Sequence, residues 1–335
     1  MTSRITFEGK TFASESGETV LDCLSRHGIN VPHSCKSGVC QSCLMQMMDG
    51  AVPEAAQKGL KPTFKKQNLF LACQCRPEQD VGVALPNAAG VDTHVSVRAR
   101  DMLNHDVLRL KLKPEGEFPC EPGQYITLIN EAGTARSYSI ANDPAREGYI
   151  ELHIRLIDGG MMSTVLKDHV RVGDTLTVRG PAGNCFYVPE ENAANDYPLV
   201  LAGTGTGLAP LYGIARQALM QDHAGAVHLF HGALRENDLY LVSELQDLAH
   251  RHANFTYAPC VLNGESGRFY QSGNIQDIVM STVARTPADK PRTRLFLCGA
   301  PEMVNGLKKA AFLSGLASRH IFADAFLPTK TAVAA

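Results

Sequence analysis

The chain has 335 residues, of which 44% are apolar and 20% charged. These values sit near the globular norm and exclude wholesale disorder and collagen-like repeats; at about 100–200 residues per domain, two or three domains fit. With 32 basic against 34 acidic residues and a formal net charge of −2, there is no general basic field to grip nucleic acid. No apolar run reaches the roughly 18 residues of a membrane span, so no membrane partner is expected. The opening Met1-Thr2-Ser3-Arg4-Ile5 lacks the apolar core of a secretion signal. A cytoplasmic protein is the expectation.

In chain order, Arg4 to Phe7 and Thr11 to Ala13 flank a Glu8-Gly9-Lys10 turn and read as a hairpin. Glu18 to His27 reads as a short helix, with Val20, Leu21 and Leu24 on one face and Gly28 as its stop. A cysteine-rich loop follows, and Asn87-Ala88-Ala89-Gly90 reads as a linker. From Thr93 to about Pro189 the strand-like segments are short and divided by Gly and Pro: His94 to Arg100, Val107 to Leu112, Tyr125 to Ile129, Tyr149 to Leu156 and Thr175 to Val178. This rhythm predicts an antiparallel barrel, interrupted by a helix starting at Ser163. From Tyr197 strands and helices alternate. The strands are Leu199 to Ala202, Ala226 to Phe230, Phe255 to Val261 and Arg294 to Cys298; the helices are Ala209 to Met220 and Glu244 to His252. That alternation predicts a parallel sheet covered by helices. Thr331 to Ala335 reads as a loose tail.

Five of the ten cysteines, Cys35, Cys40, Cys43, Cys73 and Cys75, fall within 41 residues. In a reducing compartment such a cluster reads as metal ligands rather than a disulfide framework. Cys35, Cys40, Cys43 and Cys73 have the C-x4-C-x2-C…C spacing of a plant-type [2Fe–2S] centre, in which four thiolates hold two irons. Structural zinc usually presents two C-x2-C pairs, whereas here the second half is Cys73-Gln74-Cys75. Spacing alone leaves Cys75 as a substitute for Cys73. Gly38, Ser37 and Ser42 let the loop curl and bring backbone N–H groups toward the sulfides. The segment resembles plant-type ferredoxins, which have a β-grasp fold. In that resemblance Leu71-Ala72-Cys73-Gln74 is the fourth-ligand segment, favouring Cys73, while Gln41 stands where many members have Gly or Ser. Residues 1–90 carry nine basic against eight acidic residues. They lack the acidity needed to attract a separate basic reductase, which fits electrons arriving from within the same chain.

In Arg136-Ser137-Tyr138-Ser139 the Arg offers a donor fork for a pyrophosphate. The Tyr two residues on offers a flat face on the same side of a strand, and a Ser follows as a small hydrogen-bonding group. Gly159-Gly160-Met161-Met162-Ser163 reads as an anion site at a helix start, with Ser163 as N-cap. Either segment alone could be an ordinary strand end or cap. Their order is more specific: Pro122-Gly123-Gln124-Tyr125, Arg136 to Ser139, Gly160 to Ser163, then Gly180-Pro181-Ala182-Gly183 resembles the FAD domain of the ferredoxin–NADP reductase superfamily. The resemblance implies that Arg136 contacts the FAD pyrophosphate, Tyr138 packs on the isoalloxazine and Ser139 lies near its N5. Ser137, the strand His153-Ile154-Arg155 and the segment Gly160, Met161, Met162 and Ser163 would hold the remainder of FAD.

Gly203-Thr204-Gly205-Thr206-Gly207 follows an apolar strand and opens a helix, where backbone N–H groups can face a pyrophosphate; Leu208 stands where a third spaced glycine would be. Leu297-Cys298-Gly299-Ala300-Pro301 ends another parallel strand and resembles the superfamily's nicotinamide-pocket motif, placing Cys298, Gly299 and Pro301 there. Asp324-Ala325-Phe326 resembles the segment that sets an aromatic beside the flavin, making Phe326 a candidate guard of that face or simply a core residue. His231 to Asp238 contains Arg235 but also Glu236 and Asp238, which favours NADH over NADPH. The histidines, His228 and His231 among them, have no ligand spacing and read as structural.

Over its length the sequence resembles the NADH-dependent reductase components of bacterial aromatic-ring dioxygenases and monooxygenases, closest in layout to the benzoate and naphthalene dioxygenase types. The resemblance implies three domains: a β-grasp ferredoxin domain (1–90), an antiparallel Greek-key β-barrel FAD domain (91–192) and a doubly wound parallel-sheet NAD domain (193–335). It implies electron flow from NADH through FAD to a [2Fe–2S] cluster, and from a monomer to a terminal oxygenase component or separate ferredoxin. Ser139, Cys298 and Phe326 are the residues expected nearest the hydride path. Three other readings stay open: a reductase for a soluble diiron monooxygenase or deoxysugar system, a free-flavin reductase, and a non-turnover iron–sulfur redox sensor.

Overall fold

Side chains alternate exposed and buried along Arg4–Phe7 (β1), which turns back on Lys10–Ala13 (β2). In a computed structural model, which describes residues 3–86, 92–130, 133–190, 193–265, 268–285 and 290–327, residues 1–90 and 91–335 form two units. The expected linker at 87–90 and tail at 331–335 lie outside the described residues.

In the first unit the helix is Val20–Arg26 (α1), shorter than expected because the Thr19 hydroxyl caps it, accepting from the Asp22 amide at 3.1 Å. Such a cap contributes about 1 kcal/mol. Leu44–Asp49 (β3), the short helix Pro62–Lys66 (α2), Leu69–Leu71 (β4) and Val81–Ala84 (β5) complete the unit. The mixed sheet has the order β2-β1-β5-β3-β4, with β1 and β5 parallel. Val20, Leu21 and Leu24 of α1 pack with Ile5, Met45, Phe70 and Val83 in one core. This is the β-grasp arrangement. Its cysteine loop lies between α1 and β3.

The second unit begins with Asp92–Met102 (β6), Val107–Pro114 (β7), Tyr125–Ile129 (β8) and Ala135–Ser139 (β9). A helical turn, Pro144–Glu147 (α3), leads to Ile150–Arg155 (β10), then to Met161–Thr164 (α4) and Thr175–Ala182 (β11). These strands form an antiparallel sheet in the order β10-β7-β6-β11-β8-β9. A bridge between Ile140 and Leu152 joins its two ends and closes the barrel around Val95, Leu110, Ile126, Leu152 and Val178. One expectation is corrected here. Ser163 is not an N-cap: Gly160 occupies that position, and Ser163 sits inside the helix, its hydroxyl accepting from the Ile157 amide at 2.9 Å. The local loop Ile157–Gly160 competes for the hydroxyl and wins it.

Leu199–Thr204 (β12), Leu208–Met220 (α5), Val227–Ala233 (β13), Val242–Arg251 (α6) and Phe255–Val261 (β14) follow. Gln271–Ser272 (β15), Ile275–Arg285 (α7), Arg294–Gly299 (β16), Pro301–Leu313 (α8) and Ile321–Ala325 (β17) end the described chain. The sheet is wholly parallel, in the order β15-β14-β13-β12-β16-β17. The chain winds outward in both directions from β12. Ligands of such sheets collect at the carboxyl ends of the strands where the order reverses, here β12 and β16. Cys185 and Tyr187, which follow the barrel, share a core with Leu199, Ile214 and Cys298 of the sheet layer, so barrel and sheet are packed together.

Candidate functional site

In the first unit the cysteine loop is wound by three left-handed residues: Lys36 (φ 51°), Gly38 (φ 80°) and Gln41 (φ 56°). At Gln41 the left-handed φ favours glycine, and a side chain there is held in a strained conformation. The Gln41 amide reaches back to the Gly59 carbonyl at 3.5 Å. Backbone N–H groups of Ser37 and Cys40 donate to the Cys35 sulfur at 3.4 and 3.3 Å. Hydrogen bonds from Ser37 and Cys40 lower the Cys35 thiol to about 5, a setting made for a thiolate. Cys35 and Cys40 are exposed; Cys43 and Cys73 are buried neighbours that interact with each other.

Among the described residues no three metal-ligating side chains converge on one point. The four cysteines fall instead into two pairs, Cys35 with Cys40 and Cys43 with Cys73. Two dithiolate pairs fit a two-iron cluster, each pair holding one iron. Cys75, fully buried with its thiol pushed up to about 12 by desolvation, is a core residue. Its carbonyl accepts from the Val20 amide at 2.9 Å and ties the β4 turn to α1, while its amide donates to the Leu71 carbonyl at 3.1 Å within that turn.

In the barrel, β9 is a strand, so Arg136 and Tyr138 project to one face and Ser137 and Ser139 to the other. Arg136 donates only to the carbonyl of its neighbour Ala135, and among the described residues no carboxylate pairs with it. A cation with no counter-ion among the described residues, beside the half-buried Tyr138 ring, fits a pyrophosphate and its attached flat ring. Ser137 is exposed and bonded to Thr127 at 3.0 Å; Ser139 is buried. Not every residue expected around FAD offers its side chain. Ile154 is in the barrel core, and Met162 is buried while Met161 is exposed. His153 is fully buried, 3.0 Å from the Glu151 carboxylate and edge-on to Tyr240. The alternation of β10 turns Arg155 to the same side as His153. There its guanidinium binds Asp106 at 2.8 Å and lies 4.0 Å from where a Cβ on Gly205 would sit.

The three glycines after β12 have different tasks. A Cβ on Gly203 would meet Leu211 and the Gly207 carbonyl within 2.8 Å; one on Gly207 would lie 2.2 Å from the Cys298 carbonyl. Both glycines permit a close approach of backbone that a Cβ would prevent. Gly205 (φ 54°) is open on its outer side, with only Arg155 in reach, and is the place where a phosphate can approach the backbone. The Thr204 hydroxyl accepts from the Ala300 amide at 3.1 Å, binding the β12 turn to the β16 turn, and Thr206 lies in the tight turn between them. Pro301 opens α8, where its missing N–H costs nothing.

Cys298 is fully buried at the end of β16, in register with Gly203 on one side and Asp324 on the other. Burial, the Cys185 thiol and the Asp324 charge all push its thiol well above the ordinary value, so it stays protonated. Burial also raises the Asp324 carboxyl. Burial, and secondarily the charge of Asp324, raises the Tyr125 hydroxyl, and Tyr125 pairs in register with Ser139. Tyr125 is thus the strand partner of Ser139 in the barrel, and Asp324 the strand partner of Cys298 in the sheet. Phe326 leaves β17 there, its amide donating to the Gly299 carbonyl at 2.8 Å, with its ring partly buried. Sequence reasoning missed Asp324 and Cys185 as neighbours of Cys298. Asp324 carried a signal, its place beside Phe326 and its lone charge in an otherwise apolar strand, whereas Cys185 carried none. A separate cavity of about 300 Å³ between α5 and α6, lined by Tyr212, Arg216, Glu244, Asp247 and Arg251, touches none of these residues.

Three family models match in succession: a 2Fe-2S iron-sulfur cluster binding domain over residues 5–78, an oxidoreductase FAD-binding domain over 94–187 and an oxidoreductase NAD-binding domain over 201–309. The chain is 30% identical to the naphthalene 1,2-dioxygenase system ferredoxin–NAD(P)(+) reductase component of Pseudomonas putida, over 93% of this chain and 94% of that one. It is 33% identical to the aromatic O-demethylase reductase subunit of an Amycolatopsis species, over 98% and 100%. Among solved structures, an Amycolatopsis cytochrome P450 reductase matches with a TM-score of 0.67 and 31% identity over 98% of this chain and 99% of that one. The ferredoxin reductase of a carbazole 1,9a-dioxygenase matches with a TM-score of 0.63 and 25% identity over the same shares. Two cysteine pairs, an uncompensated arginine beside a tyrosine and a glycine turn at a sheet switch point thus occur in a chain that belongs to the ferredoxin reductase components of oxygenase systems.

Proposed function

We propose that this chain feeds single electrons from its cluster directly to an oxygenase component of an aromatic-oxidising system. The chain is an NADH-dependent flavin and iron–sulfur oxidoreductase, and its acceptor is a protein. Bound FAD supplies the conversion of a hydride, two electrons together, into single electrons that a [2Fe–2S] cluster can carry. The residues' part is binding and positioning. Arg136 supplies the cation for the FAD pyrophosphate and Tyr138 the ring face; the buried Ser139 offers a hydroxyl at the isoalloxazine edge. Gly205 opens the backbone to the NADH pyrophosphate, with Arg155 as the nearby cation. Arg155, expected at FAD, would on this reading also reach the pyridine-nucleotide site. Cys298, protonated and dry, forms the wall of the nicotinamide pocket, and Phe326 covers the neighbouring face. Domain limits of 1–90, 91–192 and 193–335, a monomeric state and a cytoplasmic location belong to the same reading.

The observation that carries the proposal is the exposure of Cys35 and Cys40, which puts one half of the cluster site at the protein surface, open to an acceptor. The test uses cytochrome c as a one-electron protein acceptor and ferricyanide as a small one. Cys73→Ser should abolish NADH-driven cytochrome c reduction and keep ferricyanide reduction within about twofold of wild type. Full cytochrome c reduction by the variant would show that the cluster is not the outlet.

A further inference from the structure

Cys185 has no part in the reading above, yet its sulfur lies 3.6 Å from that of Cys298, and both side chains are buried. The two residues are 113 positions apart. They meet because each backbone is pinned by a contact that only glycine allows. A Cβ on Gly123 would lie 2.2 Å from the Cys185 carbonyl, and one on Gly207 the same distance from the Cys298 carbonyl. With both backbones held, the thiols face each other at hydrogen-bond distance for sulfur. Cys185 belongs to the segment leaving the barrel after β11, whereas Cys298 ends a strand of the sheet. The pair therefore connects the layer carrying Ser139 to the layer carrying the nicotinamide wall.

We infer that Cys185 is a positioning residue for hydride transfer, holding the Cys298 side chain in one orientation against the flavin-bearing barrel. The inference rests on the reading of Cys298 as the nicotinamide wall. The physical logic is that a protonated thiol in a dry site has one proton to place. On one side of Cys298 the strand register sets Asp324; on the other the Cys185 sulfur takes or gives the hydrogen bond. Removing the Cys185 sulfur leaves Cys298 free to rotate, and small misplacements at a reacting pair cost large factors in rate. A serine at 185 keeps a donor and acceptor of similar size.

The test is anaerobic stopped-flow reduction of the bound FAD in the full-length holoprotein, by NADH and by NADH deuterated at the transferred position. Cys185→Ala should slow flavin reduction about tenfold and change the deuterium isotope effect, with the dissociation constant for NADH within about twofold of wild type. Cys185→Ser should recover most of the rate. Wild-type rate and isotope effect in Cys185→Ala would overturn the inference. So would a slowed Cys185→Ala with an unaltered isotope effect and no recovery by serine, the pattern of a purely structural role. Cys298→Ala, measured in parallel, separates the two levels. If it is slow while Cys185→Ala is normal, only this inference falls; if it too is normal, the reading of the nicotinamide wall falls as well.

Discussion

The cluster loop and the hydride pocket solve opposite problems. The loop gathers three of its four cysteines from nine consecutive residues and keeps Cys35 and Cys40 at the surface. The proposed pocket would draw Ser139, Tyr125, Cys185, Cys298 and Asp324 from five separated segments, with Cys185 and Cys298 buried. Exposure suits an electron outlet that a partner must approach; burial suits a transfer that water would disturb. Local construction tolerates change around the ligands but not of them. Long-range construction is sensitive to any residue that sets the distance between layers.

The largest expected effect breaks the loop side of this contrast. Cys43→Ser or Cys73→Ser should abolish the cluster signals in absorbance and electron paramagnetic resonance, whereas Cys75→Ser should retain them. Loss in Cys75→Ser with retention in Cys73→Ser would reverse the ligand assignment. Next comes the pocket. Gly207→Ala drives a methyl group into the Cys298 backbone, which has no flexible end to move aside. Overpacking of this kind costs about 1–3 kcal/mol, and the displaced turn should cut flavin reduction by NADH at least tenfold, with the cluster spectrum unchanged. A normal rate would show that the β12 and β16 turns move independently.

The smallest effect is on pH dependence, and it sharpens the difference in burial. His231, opposite Gly203 on the neighbouring strand, is fully buried between Tyr240 and Tyr257, with His153 nearby. Burial, reinforced by His153, lowers it from 6.5 to about 3. The folded protein therefore binds fewer protons than the unfolded chain between these values. Stability is fully present above 6.5 and falls as pH drops toward about 3, by up to about 1.4 kcal/mol per pH unit from this group alone. Denaturant midpoints followed by FAD fluorescence at pH 7.5, 6 and 5 should decline in wild type and decline less in His231→Gln. Equal slopes would mean that His231 is not buried in neutral form.

The same contrast explains what could be read in the sequence. Cys35, Cys40 and Cys43 were legible because spacing along one loop is itself the geometry. The barrel and the parallel sheet were legible from strand rhythm and from Gly203 to Gly207. What stayed hidden was pairing across long separations. Nothing near Cys185 announces a sulfur 113 residues away. Ser163 was misread because a cap and a loop bond use the same hydroxyl. The side chains of His153 and Ile154 turn into buried packing, so any contact they make with FAD is through the backbone. Of the glycines, sequence cannot tell the one left open for a phosphate, Gly205, from the two that let turns touch, Gly203 and Gly207.

The account stands on electrons passing within one polypeptide from a hydride donor to a one-electron outlet. An anaerobic titration of the full-length protein with NADH, with no other protein present, tests this directly. The account predicts that the flavin bands and then the iron–sulfur bands bleach in wild type, and that only the flavin bands bleach in Cys73→Ser. Flavin bleaching in wild type with the cluster left oxidised would contradict it.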